Sequence, residues 1–337
     1  MHMIVRRGSW LGILAALSIV VCCCVAVPAA AADSSPSPAA SGSNASPDLT
    51  GIYTAGGAQT CKQCHNASPV TDIIGTPHSV KGDSRTPFAQ HDCESCHGPN
   101  EAHVEGFAKG KFVEPPVVFN GPHASPVSIR NQVCLTCHQN DGRMNWQGSP
   151  HQRNDVACTS CHTVHAHKDP VLVKATQTAK CFTCHVQQRA ESFEYSHHPM
   201  REGTVVCSDC HNTHGSAGPH QVKEFSVNET CYNCHAEKRG PMLWEHQPVR
   251  EDCTNCHTPH GSTEARLMKE RQDFMCSSCH SAVSNNSGGA FGGGHTLPGN
   301  LQGTALFSAS LSNNRLCLNC HSQVHGSNSP NGAYFFR

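Results

Sequence analysis

The chain is poor in the side chains that normally build a hydrophobic core. Aromatic residues make up 6% of its 337 residues, and 28 glycines and 21 prolines are spread along it. A domain of about 300 residues with a conventional core contains more large apolar side chains than this. Most of the stabilising apolar surface must therefore come from something other than side chains.

The chain has one long apolar run, from Leu11 to Val27, which follows Arg6 and Arg7. The small residues at 28–32 complete the pattern of an export signal over residues 1–32, which we expect to be removed. Gly12 and Ser18 interrupt the run and argue against a membrane anchor. No later apolar stretch reaches about 18 residues, so the mature chain is predicted to have no membrane-spanning helix.

Neither sign of charge dominates, since the chain has 24 basic and 25 acidic residues. Removing residues 1–32 takes away two arginines and no acidic residue, which leaves 22 − 25 = −3. This balance excludes the basic surface that nucleic-acid binding requires. Residues 33–50 are rich in Ser, Ala and Pro, and this composition predicts a disordered leader before an ordered domain at 51–337.

Cysteine and histidine are abundant, and the order in which they occur is informative. Ten copies of Cys-x-x-Cys-His use twenty of the 23 cysteines. The cysteines are Cys61, Cys64, Cys93, Cys96, Cys134, Cys137, Cys158, Cys161, Cys181, Cys184, Cys207, Cys210, Cys231, Cys234, Cys253, Cys256, Cys276, Cys279, Cys317 and Cys320. The motif histidines are His65, His97, His138, His162, His185, His211, His235, His257, His280 and His321.

This motif attaches haem covalently, because its two thiols add to the haem vinyl groups and the adjacent histidine binds the iron. Zinc sites or disulfides could account for one or two cysteine pairs, but neither explains a histidine after every pair. The sequence therefore predicts ten c-type haems, whose rings would supply the apolar core that the side chains lack. We expect folding to require their attachment.

The motifs are arranged as five two-haem units, at about 55–105, 130–166, 178–216, 228–262 and 273–330. Each unit contains a first motif, a lone histidine, a second motif and a trailing histidine. These additional histidines are predicted to be the second iron ligands, the trailing ones binding the haem of a neighbouring motif. They are His78, His103, His151, His165, His197, His214, His246, His260, His295 and His325.

Two of these positions have competitors, since His198 could replace His197, and His91 or His123 could replace His103. His167 and His220 are interpreted as solvated histidines or as neighbours of a ligand. With two histidines on every iron no position is open for substrate, so the pattern favours an electron carrier over an enzyme. The mature chain has only five methionines, too few for methionine ligation of ten irons, which also predicts low potentials.

The predicted fold is a multihaem cytochrome c fold, mostly irregular with short α-helices and little or no β-sheet. Pro or Gly soon follows most motifs and limits helix length. Longer helices are predicted around 191–195 and 264–272. Repeated two-haem units favour an elongated array in which each unit contacts mainly its neighbours.

The ten motifs, the paired units and the ending Cys-Leu-Asn-Cys-His-Ser-Gln-Val-His-Gly at 317–326 resemble the MtrA/DmsE family of periplasmic decahaem cytochromes. The resemblance covers about residues 55–330 and implies a chain of stacked haems inserted into an outer-membrane β-barrel porin. It further implies a periplasmic or inner-membrane cytochrome donor and an extracellular multihaem cytochrome or terminal reductase, as in respiratory extracellular electron transfer. A soluble periplasmic shuttle and, as a weaker alternative, a multihaem oxidoreductase would share the motifs.

Overall fold

The computed structural model describes residues 49–280, 296–297, 301–302, 317–319, 321–330, 332 and 335. The predicted export signal and residues 33–48 of the predicted leader lie outside the described residues. The same is true of Cys320 and His295, one predicted haem attachment residue and one predicted iron ligand.

Short helices separated by irregular backbone make up most of the described residues. The longest α-helix in this part of the chain has nine residues. The α-helices α1 to α13 are Ala58–Cys61, Pro87–Gln90, Glu94–His97, Glu101–Ala108, Val127–Leu135, Pro150–Arg153, Cys158–Cys161, Lys174–Cys181, Val186–Glu191, Cys207–Cys210, Val227–Tyr232, Gln247–Glu251 and Gln272–Cys279.

Single turns of 3₁₀-helix connect many of these segments. They are Val70–Ile73, Pro77–Ser79, Asp141–Arg143, Pro170–Leu172, Pro219–Gln221, Ala236–Lys238, Cys253–Asn255, Ala265–Leu267 and Cys317–Asn319. Two strands of two residues each, β1 (Thr296–Leu297) and β2 (Leu301–Gln302), pair antiparallel. The prediction of short helices with little β-sheet is confirmed, and no described helix is long and apolar enough to cross a membrane.

The two longer helices that we expected are not formed. Helix α9 ends at Glu191, where the expected helix was to begin, and Ser196 pairs instead with Ser262 through two backbone hydrogen bonds of 2.9 and 2.8 Å. Between 264 and 272, Arg266 and Leu267 adopt positive φ angles of 62° and 58°, which a right-handed helix does not allow. Contacts with a neighbouring unit therefore override the local helix preference in the first segment.

The first cysteine of a motif has one of two positions relative to a helix, and these positions alternate from motif to motif. In the odd-numbered motifs from the first to the ninth, the first cysteine lies in the last turn of a helix, as Cys181 does in α8. In the even-numbered motifs it lies at the start of a single helical turn, as Cys207 does in α10. The backbone thus follows the two-motif period of the sequence.

In two units, a buried asparagine close to the first motif is hydrogen-bonded to the second motif. Asn131 precedes Cys134 by three residues and its side-chain oxygen accepts a hydrogen bond of 2.8 Å from the backbone N–H of Cys158. Asn228 does the same for Cys253 at 2.7 Å. Both side chains also donate to nearby carbonyls, so these buried amides are well paired.

Between units, the glycine after a trailing histidine allows close backbone contact. A Cβ atom on Gly261 would overlap the carbonyl of Glu191, and one on Gly215 would overlap the carbonyl of Asn145. The backbone bridge between Trp244 and Ser327 forms a comparable contact beside Gly326. The His-Gly pairs therefore provide a histidine and a backbone surface that another unit can approach closely.

We expect Gly261→Ala to destabilise the holoprotein by about 1–3 kcal/mol, because the added methyl group meets a backbone carbonyl that cannot move aside easily. Thermal unfolding followed by haem absorbance measures this change. Gly82→Ala is the matched control, since nothing lies within 4 Å of the added methyl group there. Equal melting temperatures for the two variants would show that the close approach at Gly261 is unimportant.

Candidate haem sites

All ten motifs share one local geometry. In each, the backbone N–H of the histidine donates to the carbonyl of the first cysteine, with N–O distances of 2.9 to 3.1 Å. This bond closes a single helical turn, so the first cysteine and the histidine lie four residues apart on one face. The local geometry is therefore the one that covalent haem attachment needs.

Neighbouring motifs contact one another through their cysteines in a regular order. The first cysteines of the two motifs in a unit are neighbours in four units, close enough for each thiol to alter the pKa of the other, in the pairs Cys61–Cys93, Cys134–Cys158, Cys181–Cys207 and Cys231–Cys253. The second cysteines are close between units, in the pairs Cys96–Cys137, Cys161–Cys184, Cys210–Cys234 and Cys256–Cys279. From the first motif to the ninth, the motifs thus follow each other in space in sequence order.

These contacts alter the acidity of the thiols before attachment. The hydrogen bond from Cys181 lowers the pKa of Cys207 to about 7, and the same contact raises the pKa of Cys181. Burial raises the pKa of Cys96 to about 11, with a further contribution from Cys137. Both effects arise because thiols of adjacent motifs are neighbours.

Eight motif histidines face a histidine from outside the motifs, with ring centres 6.0 to 6.3 Å apart. The motif histidine is given first in each pair. The pairs are His97–His165, His138–His78, His162–His214, His185–His151, His211–His260, His235–His198, His257–His325 and His280–His246.

This separation is the one that a six-coordinate iron requires. An imidazole nitrogen binds a metal at about 2 Å and lies about 1 Å from its ring centre, so two axial imidazoles have centres about 6 Å apart. Eight independent pairs share that distance. The arrangement therefore suits an iron between the two rings of each pair.

Hydrogen bonds orient many of these rings for binding a metal. Nδ1 of His151 donates to the carbonyl of Thr213 at 2.8 Å, and Nδ1 of His198 donates to that of Pro259 at 2.6 Å. An Nδ1–H that donates in this way leaves the Nε2 lone pair free for a metal. His165 and the motif histidines His97, His211 and His257 are anchored to carbonyls in the same way.

Burial keeps several of these imidazoles in the neutral form that binds metals. Burial lowers the pKa of eight of them: His78, His97, His138, His211, His214, His246, His260 and His325. A lowered pKa means that no proton competes with a metal for the nitrogen near neutral pH.

The eight pairs follow one rule of exchange between adjacent units. The lone histidine of one unit faces the first motif histidine of the next, as His151 faces His185. In return, the trailing histidine of the later unit faces the second motif histidine of the earlier one, as His214 faces His162. Sequence reasoning assigned the trailing histidines to neighbouring motifs, but the reciprocal exchange emerges only from the structure.

The structure places His198, and not His197, opposite His235. Nδ1 of His197 donates to the carbonyl of Glu194 at 2.8 Å, and its Nε2 lies 3.7 Å from the carboxylate of Glu202, so this ring interacts within its own unit. A sequence signal for His198 exists. His78, His151 and His198 each follow the preceding motif histidine by 13 residues.

The first unit differs from the others. Among the described residues, no histidine ring lies opposite His65 at this separation, although His103 has its Nδ1 anchored to the carbonyl of Val113 at 2.6 Å. The competing residues make other contacts, since His91 stacks on Tyr53 and His123 lies 2.8 Å from Glu114. His103 therefore has the orientation of a ligand without a facing motif histidine.

The other residues considered in the sequence are the last motif with its second ligand, and two additional histidines. His321 belongs to a motif with the common backbone turn, whereas its predicted second ligand His295 and the attachment residue Cys320 lie outside the described residues. His220 contributes its carbonyl to Nδ1 of His211, and His167 is exposed. Sequence reasoning did not identify the groups that anchor the ligands, because most of them are backbone carbonyls.

Two buried arginine nitrogens have no protein partner within the described residues, namely Nε of Arg130 and Nε of Arg143. Arg143 lies close enough to His138 and His214 to lower the pKa of both, after the larger effect of burial. A buried N–H on a cationic side chain calls for an acceptor, and a haem carboxylate has the required chemistry. The residues present thus fit bound haem in their thiols, their imidazoles and the buried Nε groups of two arginines.

The fold and the sites define a multihaem c-type cytochrome. The family model described as a doubled CXXCH motif matches residues 197–240 and 246–285, and the model for NrfB-like cytochrome c-type proteins matches 93–175. The chain is 41% identical to multiheme cytochrome MtrA of Shewanella baltica (strain OS185) over 283 residues, which cover 84% of this chain and 82% of that protein. The chain therefore belongs to the MtrA family of multihaem cytochromes, as its motifs predicted, and the family implies electron transfer.

Replacing His198 by alanine should convert one low-spin haem to the high-spin form, because it removes a ring that faces a motif histidine. Electron paramagnetic resonance (EPR) of the ferric protein detects the change. His197→Ala is the matched control at the adjacent position and should leave the spin state unaltered. The reverse outcome, a high-spin haem in His197→Ala alone, would identify His197 as the ligand.

Proposed function

We propose that the chain is an electron conductor with ten c-type haems, each bound through one Cys-x-x-Cys-His motif and held by two axial histidines. The observation that carries this proposal is the set of eight histidine pairs at 6.0 to 6.3 Å. Two protein ligands leave an iron no open position for substrate, so the chain acts as a carrier and not as an enzyme.

The exchange rule assigns ligands within the series of units and leaves one histidine over at each end. His103, the trailing histidine of the first unit, has no earlier unit to serve, and the first motif histidine His65 has no lone histidine before it. We assign His103 to the iron bound by His65, because its Nδ1 is anchored as in the other ligands. At the other end, His295 is assigned to the iron bound by His321 because these are the two histidines that the exchange rule leaves over there.

The order of the motifs provides a route for electrons. A bound haem supplies a one-electron ferric–ferrous couple. First cysteines are neighbours within units and second cysteines are neighbours between units, so consecutive attachment sites lie close together from the first motif to the ninth. The chain thereby links its first motif to its ninth through a succession of short steps.

The conductor is proposed to operate from the periplasm through an outer-membrane β-barrel porin. Electrons would pass between a periplasmic or inner-membrane cytochrome and an extracellular multihaem cytochrome or terminal reductase. Family membership supports this role. Irregular backbone is tolerated at membrane depth only where protein shields it, which a barrel would do.

The ligation proposal predicts that the mature protein carries ten haems and that all are low-spin. Intact-mass measurement under denaturing conditions counts the attached haems, since the thioether bonds survive unfolding. EPR of the oxidised native protein reports the spin states. A high-spin ferric signal proportional to protein concentration would contradict complete bis-histidine ligation and would favour an enzyme with an open iron site.

The conduit proposal predicts that the native protein co-purifies from detergent-solubilised outer membranes with a β-barrel protein, in a fixed ratio. Reconstitution of the complex in liposomes that enclose an oxidised redox dye should permit dye reduction by an external donor. Liposomes with the barrel alone are the control. Recovery of all the cytochrome in the periplasmic fraction without a barrel would instead identify a diffusing shuttle.

A further inference from the structure

The carboxylate of Asp169 binds the histidine of the fourth motif. Nδ1 of His162 donates to Oδ2 of Asp169 at 2.7 Å, and the Asp169 side chain is only 14% exposed. The residue follows the motif in sequence but lies outside it, and neither haem attachment nor iron ligation requires a carboxylate at this place.

Other anchored motif histidines donate to neutral acceptors. His97, His211 and His257 donate to the backbone carbonyls of Val117, His220 and Arg266, with N–O distances of 3.1, 3.0 and 2.9 Å. A carboxylate is a charged acceptor, and its hydrogen bonds are shorter and about twice as strong as those of neutral groups. Among these motif histidines, His162 has the shortest such bond and the only anionic acceptor.

The backbone holds Asp169 in position. Its Oδ1 accepts hydrogen bonds from the N–H groups of Thr163 at 3.2 Å and Val171 at 3.3 Å, the second of which caps the 3₁₀ turn Pro170–Leu172. Oδ1 is thus committed to the backbone while Oδ2 faces His162. The carboxylate is a fixed part of this site and not a mobile surface charge.

Lys180 and Arg143 are charged groups close to the site formed by Asp169 and His162. Burial raises the pKa of the Cys161 thiol in the same motif, Lys180 opposes this shift, and Asp169 adds to it. Arg143 lies close to His214, the ring that faces His162. Elsewhere, Glu191 lies 3.4 Å from Nδ1 of His260, a longer contact than that of Asp169.

We propose that Asp169 is a positioning residue that lowers the reduction potential of the haem attached at Cys158 and Cys161. This inference rests on the proposed ligation of that iron by His162. A hydrogen bond to a carboxylate increases the electron donation of an imidazole, and stronger donation stabilises ferric over ferrous iron. The ferrous form of the fourth haem is then less favourable than it would be with a neutral carbonyl acceptor at His162.

The test compares Asp169→Asn with the wild-type holoprotein by redox titration monitored by EPR. Asparagine keeps an oxygen for the backbone donors but removes the charge. We expect one haem to titrate at a higher potential and the g-values of one low-spin signal to change, because the imidazole loses its anionic acceptor. Asp169→Glu keeps the carboxylate and should restore both properties at least in part.

Lys180→Gln is the matched control, because it removes a charge beside Cys161 and leaves the bond between His162 and Asp169 in place. A purely coulombic influence predicts that this variant shifts the potential in the opposite direction with unchanged g-values. Unchanged potentials and g-values in both Asp169 variants, with ten low-spin haems retained, would overturn the inference and leave the proposed function intact. A high-spin fourth haem in the wild-type protein would instead refute the ligation on which it rests.

Discussion

The structure depends on one distance, the separation of about 6 Å between two facing imidazoles, which is the spacing that a single iron between them would require. One imidazole belongs to a haem-attachment motif and the other comes from an adjacent unit, as in His185 with His151 and His162 with His214. If these rings bind iron as proposed, formation of the iron sites and assembly of neighbouring units are the same event. Under the proposed ligation, each junction between two units contains two iron sites. The earlier unit supplies the second ligand of one iron, and the later unit supplies the second ligand of the other.

This constraint explains how the chain folds although it has few large apolar side chains. Its buried side chains include small polar residues such as Ser192 and Thr230, and large apolar residues remain exposed on the polypeptide. The glycines after the trailing histidines let backbones of adjacent units meet where a side chain would keep them apart. Buried asparagines then connect the two motifs inside a unit. Haem rings between these elements would provide the apolar surface that the composition lacks.

The groups around the ligands distinguish sites that the motifs make equivalent. Most anchored rings donate to backbone carbonyls, which give a nearly uniform electronic setting, whereas His162 donates to Asp169. The ends of the series differ for a topological reason, since a rule of exchange between neighbours leaves one ligand unassigned at each end. A repeated sequence can in this way encode a conductor whose individual sites are unequal.

Most of the cofactor chemistry could be predicted from the sequence, because haem attachment uses five consecutive residues whose geometry is set by one hydrogen-bonded turn. Short helices also followed from local composition. The facing histidines, the choice of His198 over His197 and the carboxylate at His162 required the tertiary structure, since each depends on residues brought together from different segments. Local pattern likewise failed at 191–195, where Ser196 pairs with distant Ser262 and the helix ends. The sequence by itself determined the cofactor and a set of candidate ligands, and the tertiary structure decided which rings face each other, because only packing between units fixes that distance.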